Sequence, residues 1–318
     1  MTGLGFVGFG YWGPNLIRNF SQLPGARLVA LCDASKARLE KAHFLYPQLT
    51  GTLDYKELIR NPEVDAIVIA TPVASHFQLA MDAMEAGKHV FVEKPLAASF
   101  AEGEQLVERA AQRGLTLMVD HHFVYSAAVR KIREIMLAGQ LGDLLYYDSV
   151  RINLGRFQPD VNVLWDLATH DLGILDFLTA GEPERVSAAG AAHVQGEPHS
   201  MAYLTLHYAS GLLAHVHVNW LAPVKVRRTL IGGSRKMVVY DEFEPDEKVK
   251  VYDCGTSVQD DAVAMQRRIG YRTGDMWSPR LEVTEPLAVA AEHFLDCIAS
   301  GRAPVTDGAA GLRVVRLM

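Results

Sequence analysis

The chain has 318 residues, of which 49% are hydrophobic and 21% are charged, a composition that excludes a disordered protein and favours two globular domains. A net charge of -6 with both signs mixed along the chain argues against a nucleic-acid surface, and the sequence has no run of about 18 apolar residues that would predict a membrane helix. The start of the chain shows no signal-peptide pattern, and Cys32, Cys254 and Cys297 are scattered. We therefore expect a cytoplasmic protein with reduced thiols and no membrane or nucleic-acid partner.

The first 120 residues alternate between short apolar runs and amphipathic segments of helical length. The apolar runs predict buried parallel strands at Leu4 to Val7, Arg27 to Leu31, Ala66 to Ala70, His89 to Val92 and Leu115 to Val119. The intervening segments predict helices at Ala34 to Leu45, His76 to Ala86 and Ala101 to Arg113. This alternation is typical of a doubly wound α/β domain, so residues 1–120 are predicted to form a Rossmann dinucleotide-binding domain.

From residue 121 onwards, strand-like segments follow one another with few helices between them. They are predicted at Leu144 to Leu154, Val186 to Val194, Ala202 to Tyr208, Leu212 to Trp220, Val226 to Ile231, Met237 to Tyr240 and Lys248 to Tyr252. Helices are predicted at Ser126 to Leu137, Leu164 to Leu178 and Ala288 to Ile298. Residues 121–318 are therefore predicted to form a second α/β domain, which binds substrate and has an open, mainly antiparallel sheet. A last element near Gly311 runs to Met318, so a natural continuation of the chain stays open.

The stretch FVGFGYWGPN contains a G-x-G-x-x-G pattern between a predicted strand and a predicted helix. Gly8 would permit the tight turn, Gly10 would let the main chain approach a pyrophosphate, and Gly13 would allow the helix to pack closely. Pro14 suits an early helical position, and the start of a helix attracts an anion. The strand and helix on either side turn a weak pattern into a predicted dinucleotide site.

Asp33 follows the second predicted strand, about twenty residues after the glycines. A carboxylate at this position accepts hydrogen bonds from the adenosine ribose and repels a 2′-phosphate, which favours NAD over NADP. Ser35, Lys36 and Arg38 keep NADP as an alternative because they could partly neutralise that phosphate, although a solvated first helical turn explains them equally well.

Two polar segments follow later strands of the predicted Rossmann sheet. Thr71 and Pro72 end the third predicted strand, and His76 begins the next helix, where it either caps the helix or contacts cofactor. Glu93-Lys94-Pro95 ends the fourth predicted strand. A lysine fixed at this edge could hydrogen-bond a substrate hydroxyl, although a surface lysine is the ordinary alternative.

Asp166 and His170 lie four residues apart on a predicted helix and therefore share a face. The carboxylate could orient the imidazole, and histidine is the natural group to accept a hydroxyl proton near neutral pH. A plain helical polar pair is the alternative. Asp171 is expected to face away from the pair.

Several other polar residues are weaker candidates. His122 and Tyr125 follow the last Rossmann strand and are expected to neighbour substrate or nicotinamide. His215 and His217 share one strand face, but a packing or oligomer contact explains them better than a metal, and we expect no metal site. Arg272 lies in a predicted loop from Tyr271 to Pro279, and its guanidinium could bind phosphate. An ordinary surface loop explains the segment equally well.

Taken together, these motifs resemble the Gfo/Idh/MocA family of NAD(P)-dependent oxidoreductases. The resemblance is carried, in order, by the glycine stretch from Gly8 to Gly13, Ala70-Thr71-Pro72, AGKHVFVEKP from Ala86 to Pro95, the Asp166/His170 pair, Glu285-Pro286-Leu287 and GRAPVTDG from Gly301 to Gly308. It covers essentially the whole chain, and Glu93-Lys94-Pro95 is its most specific part.

The resemblance implies that Lys94, Asp166 and His170 are the catalytic residues. Cofactor contacts are expected at Gly8, Gly10, Tyr11, Trp12, Gly13, Asp33, Thr71, Pro72, His76, Glu93 and Lys94, and substrate contacts at His122, Tyr125, Trp165 and Arg272. Many family members carry a Gly-Gly pair before the catalytic aspartate, whereas this chain has Val161-Asn162-Val163-Leu164-Trp165. Trp165 is therefore expected to fill space near the sugar.

The expected function is NAD-dependent hydride transfer at a secondary hydroxyl or ketone of a sugar, with a nucleotide-linked sugar as the leading substrate class and C3 as the expected carbon. Three alternatives stay open: an inositol or free-sugar dehydrogenase, a glycosidase that uses NAD for a transient oxidation, and a non-catalytic dinucleotide-binding regulator. The resemblance also implies a homodimer or homotetramer assembled through the open sheet of the second domain.

Overall fold

The computed structural model describes residues 1–155, 157, 161–179, 181–261 and 266–318. These form two compact units, one made of Met1–Ser126 together with Thr284–Met318, and the other made of Ala127–Val283. The sequence-based boundary at residue 120 assigns the last segment of the chain to the second domain. In the structure that segment packs in the first unit.

The first unit begins with alternating strands and helices. Its strands are β1 (Thr2–Val7), β2 (Ala26–Cys32), β3 (Thr50–Thr52), β4 (Ala66–Ile69), β5 (His89–Glu93) and β6 (Leu117–Asp120). Its helices are α1 (Gly13–Ser21), α2 (Lys36–Leu45), α3 (Tyr55–Arg60), α4 (His76–Glu85) and α5 (Phe100–Arg113), with short 3₁₀ turns at Val73–Ser75 and His122–Tyr125.

Within the described residues, the six strands form a parallel sheet in the order β3-β2-β1-β4-β5-β6. The central strands are buried on both faces, and every residue of β4 is fully buried, which explains why continuous apolar runs predicted them. The order reverses between β1 and β4, so the carboxyl ends of these strands define the crevice where a doubly wound sheet binds its ligand. The predicted Rossmann fold is confirmed.

The second unit contains two helices and eight strands among its described residues. The helices are α6 (Ala127–Leu137) and α7 (Thr169–Thr179), and a π-helical turn at Leu164–Ala168 leads directly into α7. The strands are β7 (Leu144–Leu154), β8 (Arg185–Ala191), β9 (Met201–His207), β10 (Leu213–Asn219), β11 (Leu221–Gly233), β12 (Met237–Asp241), β13 (Val249–Asp261) and β14 (Gln266–Trp277).

The strands of the second unit form one sheet in the order β14-β13-β12-β11-β7-β10-β9-β8, as far as the structure describes the chain. The β7–β10 pair is parallel and the other pairs are antiparallel, which confirms the predicted open and mainly antiparallel sheet. Burial alternates along β9 and β10, where Leu204 and Val216 are buried and Tyr203 and His215 are not. This alternation indicates a sheet with one covered face and one open face.

The chain returns to the first unit with α8 (Pro286–Ser300) and α9 (Gly308–Leu317). The main chain at Thr306 pairs with Val119 of β6, and the Thr306 hydroxyl also donates to the Val119 carbonyl. Helix α9 packs so closely that a Cβ atom on Gly311 would lie 2.5 Å from the Val119 side chain. These contacts give the end of the chain its place beside β6.

Several local features differ from the predicted elements. Strand β3 and helix α3 were not predicted, because Thr-Gly-Thr and one and a half helical turns are too short to show a hydrophobic period. The predicted loop from Tyr271 to Pro279 is wrong: Tyr271 to Trp277 belong to β14, paired with β13. Gly274 indicated a loop there, whereas cross-strand pairing determines the structure.

No helix in the described part of the chain is both long and apolar enough to cross a membrane.

Candidate active site

The glycine loop connects β1 to α1 in the geometry that a phosphate site requires. Gly8 has φ of +100°, and a Cβ atom there would lie 2.5 Å from the Ala70 carbonyl oxygen, so only glycine fits. Gly13 is equally constrained, because its Cβ atom would lie 2.2 Å from the Gly8 oxygen. At Gly10 the nearest atom to such a Cβ is Arg38 Nη1, 3.9 Å away. The space beside Gly10 therefore lies open at the start of α1, where a pyrophosphate would bind.

Asp33 supports the glycine loop from the end of β2. Its two carboxylate oxygens accept hydrogen bonds from the Phe9 amide at 2.7 Å and from the Ser35 amide at 2.8 Å, and the residue is buried. Arg38 Nη1 lies 3.7 Å from Asp33 Oδ2. The carboxylate that would bind the ribose hydroxyls thus also holds the glycine loop in place. Arg38, beside this carboxylate, is the cation that would attract the 2′-phosphate of NADP.

The segments after β4 and β5 are joined by His76. Its side chain is fully buried, with Nδ1 2.8 Å from the Pro95 carbonyl oxygen and Nε2 2.9 Å from the Thr71 carbonyl oxygen. Burial lowers the pKa of His76 against the opposing effect of these two hydrogen bonds. Each ring nitrogen therefore contacts a main-chain carbonyl. The Pro95 carbonyl lies next to Lys94 in the chain, and the Thr71 carbonyl lies next to Pro72. Pro72 is exposed and Thr71 is half-buried.

Lys94 and Glu93 lie at the carboxyl end of β5, beside the end of β6. Lys94 is partly exposed, and Glu93 pairs in register with Asp120, the last residue of β6. Burial raises the pKa of Glu93 well above its usual range, and the neighbouring Asp120 charge raises it further. Glu93 therefore keeps its proton to a higher pH than an ordinary glutamate does.

Trp12 and His122 surround the buried Asp120 carboxylate. Trp12 Nε1 donates to Asp120 Oδ2 at 3.0 Å, and His122 Nδ1 lies 3.4 Å from Asp120 Oδ1. The Trp12 and His122 rings stack with centroids 5.3 Å apart, and Tyr11 is exposed beside Trp12. Trp12 thus ties the glycine loop to Asp120 at the end of β6, a residue for which the sequence predicted no role.

Tyr125 was expected beside substrate or nicotinamide, but the structure places it in the core. Its side chain is 1% exposed, its hydroxyl lies 3.1 Å from Thr306 Oγ1, and its ring contacts that of His293. Thr306 lies 181 positions further along the chain, so no local pattern predicted this contact. His122, from the same 3₁₀ turn, remains partly exposed.

In the second unit, Asp166 lies in the π-helical turn and His170 lies in the first turn of α7. Asp166 Oδ2 accepts a hydrogen bond from Nε1 of the buried Trp220 at 3.0 Å. Trp165, Asp166 and His170 are all partly exposed, and the Asn162 side chain caps the turn through the amides of Leu164 and Trp165. π-Helical turns occur frequently at functional sites. The turn therefore presents a fixed carboxylate and an imidazole to solvent.

Asp171 faces the covered side of the sheet, away from solvent. It accepts hydrogen bonds from Arg151 Nε at 2.7 Å and from Ser149 Oγ at 2.6 Å, and all three residues are buried. The pKa of Arg151 lies above its usual value because the Asp171 charge and hydrogen bond outweigh the effect of burial. The pair is an ionic anchor of α7 on β7.

The remaining candidates do not form a binding cluster. Arg272 donates to the Asp253 carboxylate of β13 and to the Arg235 carbonyl between β11 and β12, so these two groups already occupy its guanidinium. The Tyr203 ring stacks on those of His217 and His215, with centroids 4.4 and 5.8 Å apart. Among the residues that the structure describes, no group of three His, Cys, Asp or Glu side chains is arranged to hold a metal ion.

Comparison with known proteins agrees with this geometry. The family model described as "Oxidoreductase family, NAD-binding Rossmann fold" matches residues 2–121, and the "GFO/IDH/MocA C-terminal domain" model matches residues 129–239. A UDP-N-acetylglucosamine 3-dehydrogenase from Acidithiobacillus ferrooxidans is 31% identical over 262 residues, covering 80% of this chain and 76% of that protein.

A crystal structure of that dehydrogenase superposes with a TM-score of 0.81 at 26% identity and covers 99% of this chain and 94% of its own. A 2,7-anhydro-N-acetylneuraminate hydratase from Mediterraneibacter gnavus is 26% identical over 278 residues, covering 82% of this chain and 70% of that protein. Relatives of similar distance thus carry names for two different reactions.

Proposed function

Because the chain belongs to the Gfo/Idh/MocA family of NAD-binding oxidoreductases, we propose that it transfers a hydride between NAD and a secondary hydroxyl of a nucleotide-linked sugar, with C3 as the reacting carbon. NAD is the cofactor of its Rossmann domain, and one relative is named as a dehydrogenase of a nucleotide-linked sugar. The substrate class, the carbon and the roles of individual residues are the proposal.

The observation that carries the proposal is the turn that leaves Asp166 and His170 partly exposed. A fixed carboxylate can hold an imidazole in one tautomer, and Asp166 is itself held by Trp220. A buried ion pair would make the same residues structural, but here both side chains are partly exposed. The buried ion pair of α7 is instead formed by Asp171 with Arg151.

Each residue receives a role that suits its chemistry. In the oxidative direction His170 accepts the hydroxyl proton, Asp166 orients and stabilises the imidazole, and Lys94 donates a hydrogen bond to the reacting oxygen. When bound, NAD supplies the hydride acceptor. In the first unit, the glycine loop would hold the pyrophosphate and Asp33 the ribose. The open space beside Gly10 fits that assignment.

A nucleotide-linked sugar is favoured by the dehydrogenase relative, whose name specifies UDP-N-acetylglucosamine. Arg272 was expected to contribute a phosphate contact, but its engagement by Asp253 and Arg235 removes that support. The choice over inositols and free sugars therefore depends on the relative alone, while the partly exposed indole of Trp165 suits the face of any sugar.

The proposal is tested by assaying NADH formation with UDP-sugars, free sugars and inositols, first with the unaltered protein and then with Lys94→Met and His170→Ala. We expect activity confined to UDP-sugars and losses of about 10²- to 10⁴-fold in each variant, the usual contribution of a proton-transfer group. Lys41→Met and His43→Ala change the same residue types at exposed positions of α2 and should behave like the unaltered protein. Unchanged turnover in Lys94→Met or His170→Ala would remove the role of that residue.

A second candidate is a reaction without net oxidation, such as NAD-dependent glycoside cleavage by transient oxidation. The hydratase relative favours this class, since its name describes no net redox change. It would use the same residues. Product formation with retained NAD and no accumulation of NADH would identify it, whereas binding of NAD without turnover of any sugar would indicate a regulator.

We also propose that copies of the chain assemble through the open face of the second unit's sheet, as a homodimer or homotetramer. Tyr203, Leu213 and His215 lie on strands of that sheet with exposed or partly exposed side chains. Light scattering coupled to size exclusion would give the mass, and Leu213→Glu should shift it to that of a monomer. An unchanged mass in this variant would exclude Leu213 from the interface.

A further inference from the structure

Two carboxyl groups meet at the ends of β5 and β6. Glu93 and Asp120 are partners across the two parallel strands, and their side chains lie close enough for the Asp120 charge to raise the pKa of Glu93. Asp120 is fully buried, and Glu93 Oε2 is a buried atom for which the described residues provide no donor. Two ionised carboxylates in such contact would repel strongly. A single proton held between them removes the repulsion and gives the buried Glu93 oxygen its partner.

The neighbouring side chains decide which of the two carries the proton. Trp12 Nε1 donates a hydrogen bond to Asp120 Oδ2 at 3.0 Å, and His122 Nδ1 lies 3.4 Å from Asp120 Oδ1. Burial alone would raise the pKa of Asp120, but the charge and hydrogen bond of His122, with the hydrogen bonds of Glu93 and Trp12, hold that pKa below its ordinary value. Asp120 is therefore the anion and Glu93 is the acid.

The other titratable groups that act on the pair are Lys94, His121 and His122. The Lys94 cation favours ionised Glu93, but its effect is smaller than those of burial and of the Asp120 charge. Burial lowers the pKa of His121 to about 4, so this ring is neutral at pH 7. The proton on Glu93 is thus retained even though a cation follows it in the chain.

We propose that Glu93 and Asp120 share one proton and act as a positioning pair for cofactor binding. The pair joins three segments: the glycine loop through Trp12, the end of β5 that carries Lys94, and the turn that carries His122. Loss of the proton places a second negative charge beside Asp120, which pushes β5 and β6 apart at the edge where the anionic pyrophosphate binds. This inference deepens the cofactor half of the proposed function and does not depend on which sugar reacts.

The first test measures NAD affinity by calorimetry between pH 6 and pH 9, on the full chain without sugar, for the unaltered protein, Glu93→Gln and Glu93→Ala. Gln keeps an N–H donor for Asp120, so Glu93→Gln should bind within about threefold of the unaltered protein at pH 7, whereas Glu93→Ala should bind about tenfold more weakly. Affinity should fall with rising pH in the unaltered protein and stay level in Glu93→Gln. Equal losses in both variants at pH 7, or parallel pH profiles for the unaltered protein and Glu93→Gln, would overturn the proposal.

The second test detects the proton directly. The infrared spectrum of the cofactor-free protein at pH 7 should contain the carbonyl stretch of a protonated carboxylic acid, and the difference between the unaltered protein and Glu93→Gln should isolate it. Glu104→Gln, at an exposed position of α5, makes the same change without affecting the pair and should leave the band in place. A difference spectrum without an acid band overturns the proposal. Because neither test uses a sugar, failure of the proposed substrate class would leave both results unchanged.

Discussion

Replacing Asp33 with asparagine separates its two roles, as a support of the glycine loop and as a determinant of cofactor choice. In the unaltered protein each carboxylate oxygen accepts one buried amide, from Phe9 and from Ser35. Asparagine has nearly the same shape but offers only one acceptor oxygen. Its amide nitrogen must therefore face one of the two main-chain N–H groups, so that one hydrogen bond is lost and one donor is left without an acceptor.

The size of the effect follows from those two bonds. A hydrogen bond to a charged group contributes about 1.5–3 kcal/mol, so Asp33→Asn should lower the free energy of unfolding by about 2–3 kcal/mol. For a unit of this size that corresponds to a fall in Tm of about 4–12 °C. The same change removes the charge that repels a 2′-phosphate and leaves Arg38, now 3.7 Å from the carboxylate, free to attract one. The ratio of NADP to NAD affinity should rise about tenfold or more.

Calorimetric unfolding of the cofactor-free protein gives the first quantity, and titration with each dinucleotide gives the second. Asp296→Asn removes the same charge at an exposed position of α8 and provides the control. If Asp33→Asn unfolds within about 1 °C of this control, the carboxylate does not support the loop. If the affinity ratio is unchanged, Asp33 does not select the cofactor.

Three further outcomes are expected. Arg151→Met leaves the buried Asp171 carboxylate without its cation, and chemical denaturation should show a loss of about 3–5 kcal/mol; a loss below about 1 kcal/mol would contradict the anchoring role. Trp220→Phe removes the donor to Asp166 while keeping an aromatic core residue, so kcat should fall more than about threefold with NAD affinity unchanged; equal kcat would make Trp220 a packing residue only. Because the folded-state pKa of Glu93 is raised, its stabilising contribution is present below the unfolded-state pKa and is lost as pH rises. The Tm of Glu93→Gln relative to the unaltered protein should therefore increase from pH 5 to pH 8, and a constant difference would show that Glu93 does not titrate.

Local patterns predicted most of the fold, because its strands are buried in regular ways. The apolar run of β4 could be read directly, since a strand covered on both faces has apolar side chains throughout. Strand β3 could not be read, because Thr50 to Thr52 gains its structure from pairing with β2 rather than from its own side chains. The Tyr271 segment was misread for the same reason, as its pairing with β13 is not encoded locally.

The site was predictable where residues near in sequence also act together. The glycines and Asp33 have a fixed spacing, whereas Tyr125 looked like a cleft residue because its partner Thr306 is 181 positions away. The Asp166–Trp220 hydrogen bond, between residues 54 positions apart, was invisible for the same reason. Contacts between residues far apart in the chain are therefore the part of the candidate site that the sequence did not predict.

Glu93 and Asp120 are 27 positions apart, yet the sequence does contain a pattern that predicts their contact. Strands β5 and β6 are consecutive, and consecutive strands of a doubly wound sheet usually lie side by side. Each ends in an acid at the same edge, so a parallel register brings the two carboxyl groups together. Adjacent parallel strands that both end in Asp or Glu therefore predict either a bound cation or a shared proton. In this chain the hydrogen bond from Trp12 to Asp120 and the His122 ring beside it stabilise one ionised carboxylate and so favour the proton.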